Sequence, residues 1–132
     1  MGQQSGSQGN KKQSAGNRLV GWLVSYAQEN NGSSYEIRTG RSLVSGRKAG
    51  DESRVIFVDE GSVSTPHAAL SASARHRLMV QDIFTNAGTY LTRAGSDKEV
   101  PVSGPIEVEH GDWLRIGETA RFQVCLIDGP RR

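Results

Sequence analysis

From residue 18 onward the chain is a succession of short apolar or alternating runs, separated by clusters of Gly, Asn, Asp and Ser. The runs fall at 19–27, 35–39, 42–45, 54–58, 68–73, 77–83, 89–92, 99–102, 105–109, 113–116 and 120–127. Two of them alternate cleanly. In 105–109, Ile106 and Val108 point one way while Glu107 and Glu109 point the other; in 35–39, Tyr35, Ile37 and Thr39 oppose Glu36 and Arg38. A period of two sends successive side chains to opposite faces and marks strands with one face in water. No window of a dozen residues carries the stripe of an amphipathic helix. Short strands at a spacing of roughly ten residues predict an all-β chain, an antiparallel sandwich or barrel. The segments 111–117 and 120–127 read as adjacent strands joined by a tight turn at 117–119. No internal repeat is evident.

The first seventeen residues have a different texture. They hold four Gln, four Gly, three Ser, two Asn and two Lys, with Met1 and Ala15 the only apolar positions. Such a segment cannot bury enough surface to offset its ordering entropy, so 1–17 is expected to be a disordered polar tail. The expected organisation is this tail, one domain over 18–128, and a short C-terminal tail or linker start at 129–132. A chain of 132 residues has room for one domain. Gly is frequent, at 16 residues, and Pro scarce, at 4, which suits many tight turns.

Charge narrows the function classes. Lys11 and Lys12 sit in the tail with no acid beside them; the remaining fourteen basic residues are balanced by fourteen acidic ones. The expected folded part is formally neutral, which speaks against nucleic acid as a partner. No apolar stretch reaches the length of a membrane helix, and the N-terminus lacks a signal-peptide core, so a cytoplasmic location is expected. Cys125 is the single cysteine, and no Cys/His cluster offers a zinc site, so neither disulfide, metal nor cofactor is expected. Val124, Leu126 and Ile127 around Cys125 argue for a buried core thiol.

Catalytic chemistry finds little purchase. Ser64 stands three residues before His67, with Asp59 and Asp82 available, but a triad is a matter of geometry and not of spacing. GRKAG at 46–50 is not a GxxxxGK[ST] loop. What stands out is polar residues confined to segments between strands: Gly46-Arg47, the stretch 62–67, and the stretch 85–89. Loops at one end of a sandwich make a binding face. Arg47 offers a rigid fork of donors suited to phosphate, Ser64 and Thr85 offer hydroxyls, and the Asn86 amide can donate and accept at once along a peptide backbone. One Arg, two hydroxyls and one amide match a phosphorylated side chain on a peptide.

These residues, in this order, resemble a forkhead-associated (FHA) domain. Gly46-Arg47 resembles the family's Gly-Arg at the end of its third strand. Ser64-Thr65-Pro66-His67 resembles its Ser-x-x-His. Asp82 through Gly88-Thr89-Tyr90 resembles its Asp…Asn-Gly-Thr segment, and Gly111-Asp112-x-Leu114-x-Ile116-Gly117 is also typical. The likeness runs from about Val20 to Ile127, more than four fifths of the chain. It implies an eleven-strand antiparallel β-sandwich that binds phosphothreonine peptides and is not an enzyme. Arg47 and Ser64 would bind the phosphate and Thr65 the peptide backbone. Thr85 would bind the phosphate or line a pocket for the threonine methyl, and Asn86 would hold the peptide main chain. Gly46, His67 and Gly88 would be architectural, with His67 fixing Ser64 from within the loop.

Two departures from the family pattern stand out. Ala87 occupies the position directly before Gly88 where the family places Asn, with Asn86 one residue earlier. Either the loop carries one extra residue and Asn86 still reaches the ligand, which is favoured, or the backbone clamp is lost. The stretch RKAGDESR at 47–54 replaces a compact loop; Lys48 there is either a second cation for the phosphate or a solvated lysine, and Arg47 could pair with Asp51 or Glu52. The tail has Ser5, Ser7 and Ser14 but no Thr. The expected partner is therefore a phosphothreonine protein in trans, or a segment of a larger parent chain, marked by a Ser/Thr kinase. The chain would be the regulatory module of that signalling protein. The alternative is an FHA-like scaffold that binds its partner without phosphate.

Overall fold

The structure is a computed structural model and describes residues 17–26, 31–47 and 54–130. The tail up to residue 16, Lys48, Asp51, Glu52 and the last two residues lie outside the described set. Eleven strands are described: β1 (Leu19–Ser25), β2 (Ser33–Arg38), β3 (Gly40–Ser45), β4 (Val55–Phe57), β5 (Ala68–Ala72), β6 (Leu78–Asp82), β7 (Thr89–Thr92), β8 (Glu99–Pro101), β9 (Ile106–Val108), β10 (Trp113–Ile116) and β11 (Ala120–Leu126). Each falls on one of the eleven runs. They form a six-stranded sheet, ordered β2-β1-β11-β10-β7-β8, and a five-stranded sheet, ordered β4-β3-β5-β6-β9. Among the described residues no helix is long and apolar enough to cross a membrane.

Alternation builds the layer between the sheets. In β11, Ala120, Phe122 and Val124 are buried while Arg121 and Gln123 face outward. Leu23, Val44, Leu78, Val80, Leu114 and Ile116 are fully buried in the core with Phe122. The Tyr35 ring meets Phe122 edge-on at 5.8 Å between centroids, a favoured aromatic geometry. β1 is less regular, because its register to β2 shifts between Leu19 and Gly21, so Val20 and Leu23 both point inward. Both tryptophans, Trp22 and Trp113, are half-buried on the outer face of the six-stranded sheet. Cys125, expected in the core, shares that outer face, paired with Trp22 and half-buried. The alternation of β11 decides this, since the inward positions go to its neighbours Val124 and Phe122.

One pair departs from the antiparallel expectation. β3 and β4 run parallel, with Leu43 opposite Val55 and Ser45 opposite Phe57. The start of β4 therefore lies beside Leu43, past the middle of β3, and the Arg54 guanidinium reaches back to donate to the Thr39 carbonyl at 2.8 Å. β4 ends level with β3, and Val58 N–H donates to the Ser45 carbonyl at 2.9 Å. This return brings Arg47, the segment after β4, the β6–β7 loop and the β10–β11 turn to one end of the sandwich.

Candidate functional site

The site is organised around His67, whose side chain is fully buried. Its Nδ1 accepts from the Ser64 backbone N–H at 2.9 Å. That leaves Nε2 as the protonated nitrogen, and it donates to the Gly88 carbonyl at 2.8 Å. The His67 backbone ties the same region to two strands: its N–H donates to the Val44 carbonyl at 2.8 Å, and its carbonyl accepts from Ile83 N–H at 3.0 Å. One imidazole thus links the loop before β5 to the loop after β6. With both nitrogens spent and no exposed surface, His67 has no free lone pair for base chemistry.

Gly46 and Gly88 are required by close approach. The Gly46 N–H donates to the Ser64 carbonyl at 2.9 Å, and a Cβ on Gly46 would lie 2.1 Å from the Val63 carbonyl oxygen. Only a residue without a side chain lets the end of β3 press so close to the segment before β5. Next to it, the Arg47 N–H donates to the buried Ser45 hydroxyl at 3.3 Å, which sets where the Arg47 side chain leaves the backbone. Gly88 has φ +83°, a left-handed conformation that a Cβ disfavours, and a Cβ there would touch the Tyr90 ring.

Asp82 organises the β6–β7 loop. Its Oδ2 accepts from Thr85 N–H at 3.0 Å; its Oδ1 accepts from the Thr85 hydroxyl at 2.8 Å and from the buried Thr89 hydroxyl at 2.6 Å. Burial pushes the Asp82 carboxyl up, but the hydrogen bonds from Thr89 and from the Thr85 amide and hydroxyl outweigh it and hold the group below the usual carboxylate range. The Thr85 hydroxyl is saturated. Its proton goes to Asp82, and its lone pairs face Gly88 N–H at 3.0 Å and His67 Nε2 at 3.3 Å. The Thr85 hydroxyl therefore has no proton left for a ligand in this arrangement. The bond from Gly88 to Thr85 closes 85–88 as one tight turn with Asn86, exposed, and Ala87, half-buried, at its centre.

A second set of contacts, which sequence reasoning missed, joins this end to the other sheet. Glu60 accepts from the Ser62 hydroxyl and amide and, at 2.8 Å, from the Thr119 hydroxyl. The Ser62 hydroxyl bond comes first in holding the Glu60 carboxyl below its ordinary range. Glu118 N–H donates back to Ser62 Oγ at 2.7 Å, and Gly117 N–H donates to the Gly88 carbonyl at 3.0 Å. Gly88 O thus receives one bond from each sheet's side. Glu and Ser at i and i+2 are too common for this latch to be read from sequence.

Against these satisfied groups stand the tips. The Arg47 guanidinium, the Ser64 hydroxyl, the Thr65 hydroxyl and the Asn86 amide have no partner among the described residues. Arg47, Thr65 and Asn86 are exposed and Ser64 is half-buried. The Thr65–Pro66 peptide bond is cis. Lys48 and the acids that might pair with Arg47, Asp51 and Glu52, lie outside the described residues. Two carboxylates at this end, Glu60 and Asp82, each accept three hydrogen bonds from Ser and Thr groups. Phe84, also missed, is 95% exposed beside Thr85 and adopts φ +48°.

No sequence-family model matches this chain, and no curated protein matches it. Solved structures do. The FHA domain of an Arabidopsis thaliana hypothetical protein, solved in solution, matches with a TM-score of 0.65 at 19% identity, over 98% of this chain and 99% of that one. The fold is that of an FHA domain. A chain from a structural and functional study of phosphothreonine-dependent FHA domain interactions aligns at TM-score 0.63 and 17% identity, over 83% of this chain and 97% of that one. Mycobacterium tuberculosis EmbR in complex with a low-affinity phosphopeptide aligns at TM-score 0.64 and 18% identity, over 86% of this chain and 26% of that one. Across the FHA fold of this chain, the tips just described are the ends of β3, of the β4–β5 segment and of the β6–β7 turn.

Proposed function

We propose that this chain is a phosphothreonine-peptide binding module, spanning about 18–128, that joins proteins in response to a Ser/Thr kinase. The observation that carries the reading is the contrast at the loop end: His67, Asp82 and Thr85 are saturated and rigid, while Arg47, Ser64, Thr65 and Asn86 on the same loops hold unspent donors. Solved structures of the same fold that hold a phosphopeptide, or come from work on phosphothreonine-dependent interactions, add to it.

A phosphate carries a charge of about −1.5 to −2 and three strong acceptors. The Arg47 fork takes two oxygens, and Ser64 Oγ–H takes a third. Thr65 and Asn86 meet the peptide backbone, and the methyl side of Thr85 borders the threonine methyl. Lys48, next in the chain to Arg47, adds a second cation. The phosphorylated partner lies in another protein or elsewhere in a longer parent, for which this domain is a regulatory unit. Ala87 contributes no amide before Gly88, so Asn86 alone supplies the side-chain clamp on the peptide backbone.

The test is fluorescence anisotropy with matched phosphothreonine, phosphoserine and unphosphorylated peptides on wild type and Arg47→Ala. Charge-assisted bonds contribute roughly 1.5–3 kcal/mol each, so the substitution weakens phosphothreonine binding about ten- to a hundredfold or more. Equal binding of unphosphorylated peptide, unchanged in Arg47→Ala, would replace this reading with a phosphate-independent scaffold.

A further inference from the structure

An edge strand exposes a row of backbone N–H and C=O groups with which another chain can pair. The two described sheets end in β2, β8, β4 and β9. Three of these edges are blunted by length: β4, β8 and β9 have three residues each, and β8 ends in Pro101. β2 is the exception. It has six residues, Ser33–Arg38, with neither Pro, Gly nor Lys among them.

The strands behind β2 decide which of its peptide groups face out. Val124 on β11 donates to the Asp112 carbonyl and accepts from Gly111 N–H, both at 2.8 Å, so its peptide groups point away from β1. Hydrogen-bonded and non-hydrogen-bonded pairs alternate along an antiparallel ladder. Leu23, opposite Val124, therefore turns to β2 and meets Tyr35, and Gly21 meets Ile37 in the same phase. Ser34, Glu36 and Arg38 are left with their backbone groups directed off the edge of the sheet.

Charge on an edge normally keeps copies apart, but on β2 it is self-complementary. Glu36 and Arg38 stand two residues apart on the outer face with opposite signs. Arg38 Nη2 donates to Glu36 Oε1 at 2.8 Å and Nη1 to the Asn17 carbonyl at 2.8 Å, while Glu36 Oε2 has no partner among the described residues. A second copy laid antiparallel on this edge, with the twofold axis at Ile37, sets Glu36 opposite the partner's Arg38 and Arg38 opposite the partner's Glu36. Outward peptide groups then meet outward peptide groups in two hydrogen-bonded pairs. Moving the axis to Glu36 or to Arg38 sets like charges face to face, which is unfavourable. Arg18, the other cation of this corner, lies across Thr39 on the β1 side of the edge.

We infer that β2 is a dimerisation edge, on which a second copy of this chain pairs antiparallel and the two six-stranded sheets become one. β2 begins beside the end of β1, at the loop end, and Ile37 lies towards the opposite end. The twofold therefore aims the two sets of loops in opposite directions. The pairing needs no phosphate; on the phosphopeptide reading, its consequence is a bivalent particle that bridges two phosphorylated chains instead of clasping neighbouring marks on one.

The experiment is sedimentation velocity of the full chain from about 5 to 500 µM, with amide hydrogen exchange at both ends of that range. One strand a side is small against the roughly 1,200–2,000 Å² of stable complexes, so a dissociation constant on the order of 100 µM is expected. Exchange at the Glu36 and Arg38 amides should slow about threefold at the high concentration, while Tyr35 and Ile37, already bonded to β1, should not change. Glu36→Arg should weaken the dimer at least about tenfold, because both cross-edge pairs then carry like charges, and adding Arg38→Glu should bring it back to within about threefold of wild type. Exposed ion pairs add little to a fold, so melts of the variants should stay close to wild type. A chain that stays monomeric throughout, a dimer that Glu36→Arg leaves unchanged, or protection that falls elsewhere than on Glu36 and Arg38 overturns the inference. None of these results bears on phosphopeptide binding by the loops.

Discussion

Replacing His67 by Leu tests whether one buried imidazole holds the loop end together. Leu is close in volume, so little cavity is created and the effect isolates the hydrogen bonds. Two short bonds are lost, Ser64 N–H to Nδ1 at 2.9 Å and Nε2–H to the Gly88 carbonyl at 2.8 Å, and with them the longer 3.3 Å contact of Nε2 with the Thr85 hydroxyl. The Gly88 carbonyl keeps a partner in Gly117 N–H. The Ser64 amide does not, and an orphaned part-buried donor costs about 1–3 kcal/mol, to which the lost net value of the second bond adds about 1 kcal/mol. The sum, about 2–4 kcal/mol, is a large share of a domain's roughly 5–15 kcal/mol. For a domain slightly over 100 residues it lowers Tm by about 8–16 °C, at roughly 4 °C per kcal/mol. Circular dichroism melts supply Tm, and amide hydrogen exchange reads the mechanism, with protection at Ser64 collapsing ahead of β11. A fall in Tm under about 2 °C, or a Ser64 amide that stays protected, would refute the account of His67 as the brace.

Ser64→Ala and Arg47→Ala remove groups without a described partner, so each should leave unfolding free energy within about 0.5 kcal/mol of wild type in a urea titration while weakening phosphopeptide binding. Gly46→Ala places a Cβ 2.1 Å from the Val63 carbonyl oxygen and should cost at least about 2 kcal/mol by the same titration, with the end of β3 forced from its position. The Asp82 carboxyl sits below its ordinary range in the fold, so the folded state holds its proton less readily than the unfolded chain. Its stabilisation is complete above the unfolded carboxylate value of about 4 and is lost as pH falls through the lower folded value. Asp82→Asn should therefore melt well below wild type at neutral pH, and the gap should narrow in acid; a gap constant with pH would refute the role of the ionised carboxylate.

The strand pattern was legible because each strand carries its own local signal. Ala120, Phe122 and Val124 alternate with Arg121 and Gln123, and Gly117 closes the turn where the sequence put it. Direction was not legible at β4, whose three residues read the same for a parallel and an antiparallel neighbour. The bulge near Gly21 escaped because a register shift is a property of the pair and not of one strand, whereas the outward turn of Cys125 follows from the alternation of β11 alone, which the apolar run around it obscured. At the site, residue type announced which groups could hydrogen-bond but not where they spend that capacity. Thr85 read as either a phosphate ligand or the wall of a pocket for the threonine methyl; in the fold its proton goes to Asp82, a partner supplied by a turn that forms only when β6 and β7 leave for different sheets. Phe84 escaped because its strain lies in a torsion angle and not in its identity.

The outward placement of Trp22 and Trp113 has a spectroscopic consequence. Both indoles sit on strands of the six-stranded sheet, half in water, and the Arg121 guanidinium lies 5.6 Å from the Trp113 ring centroid. Neither stands on the loops that carry Arg47, Ser64 or Asn86. Their emission starts from a partly solvated environment and reports the integrity of the sheet as it comes apart. A ligand seated on the loops leaves it largely unquenched. The chain thus carries an internal reference signal for its own foldedness, readable in the same cuvette while a dye on the peptide follows occupancy.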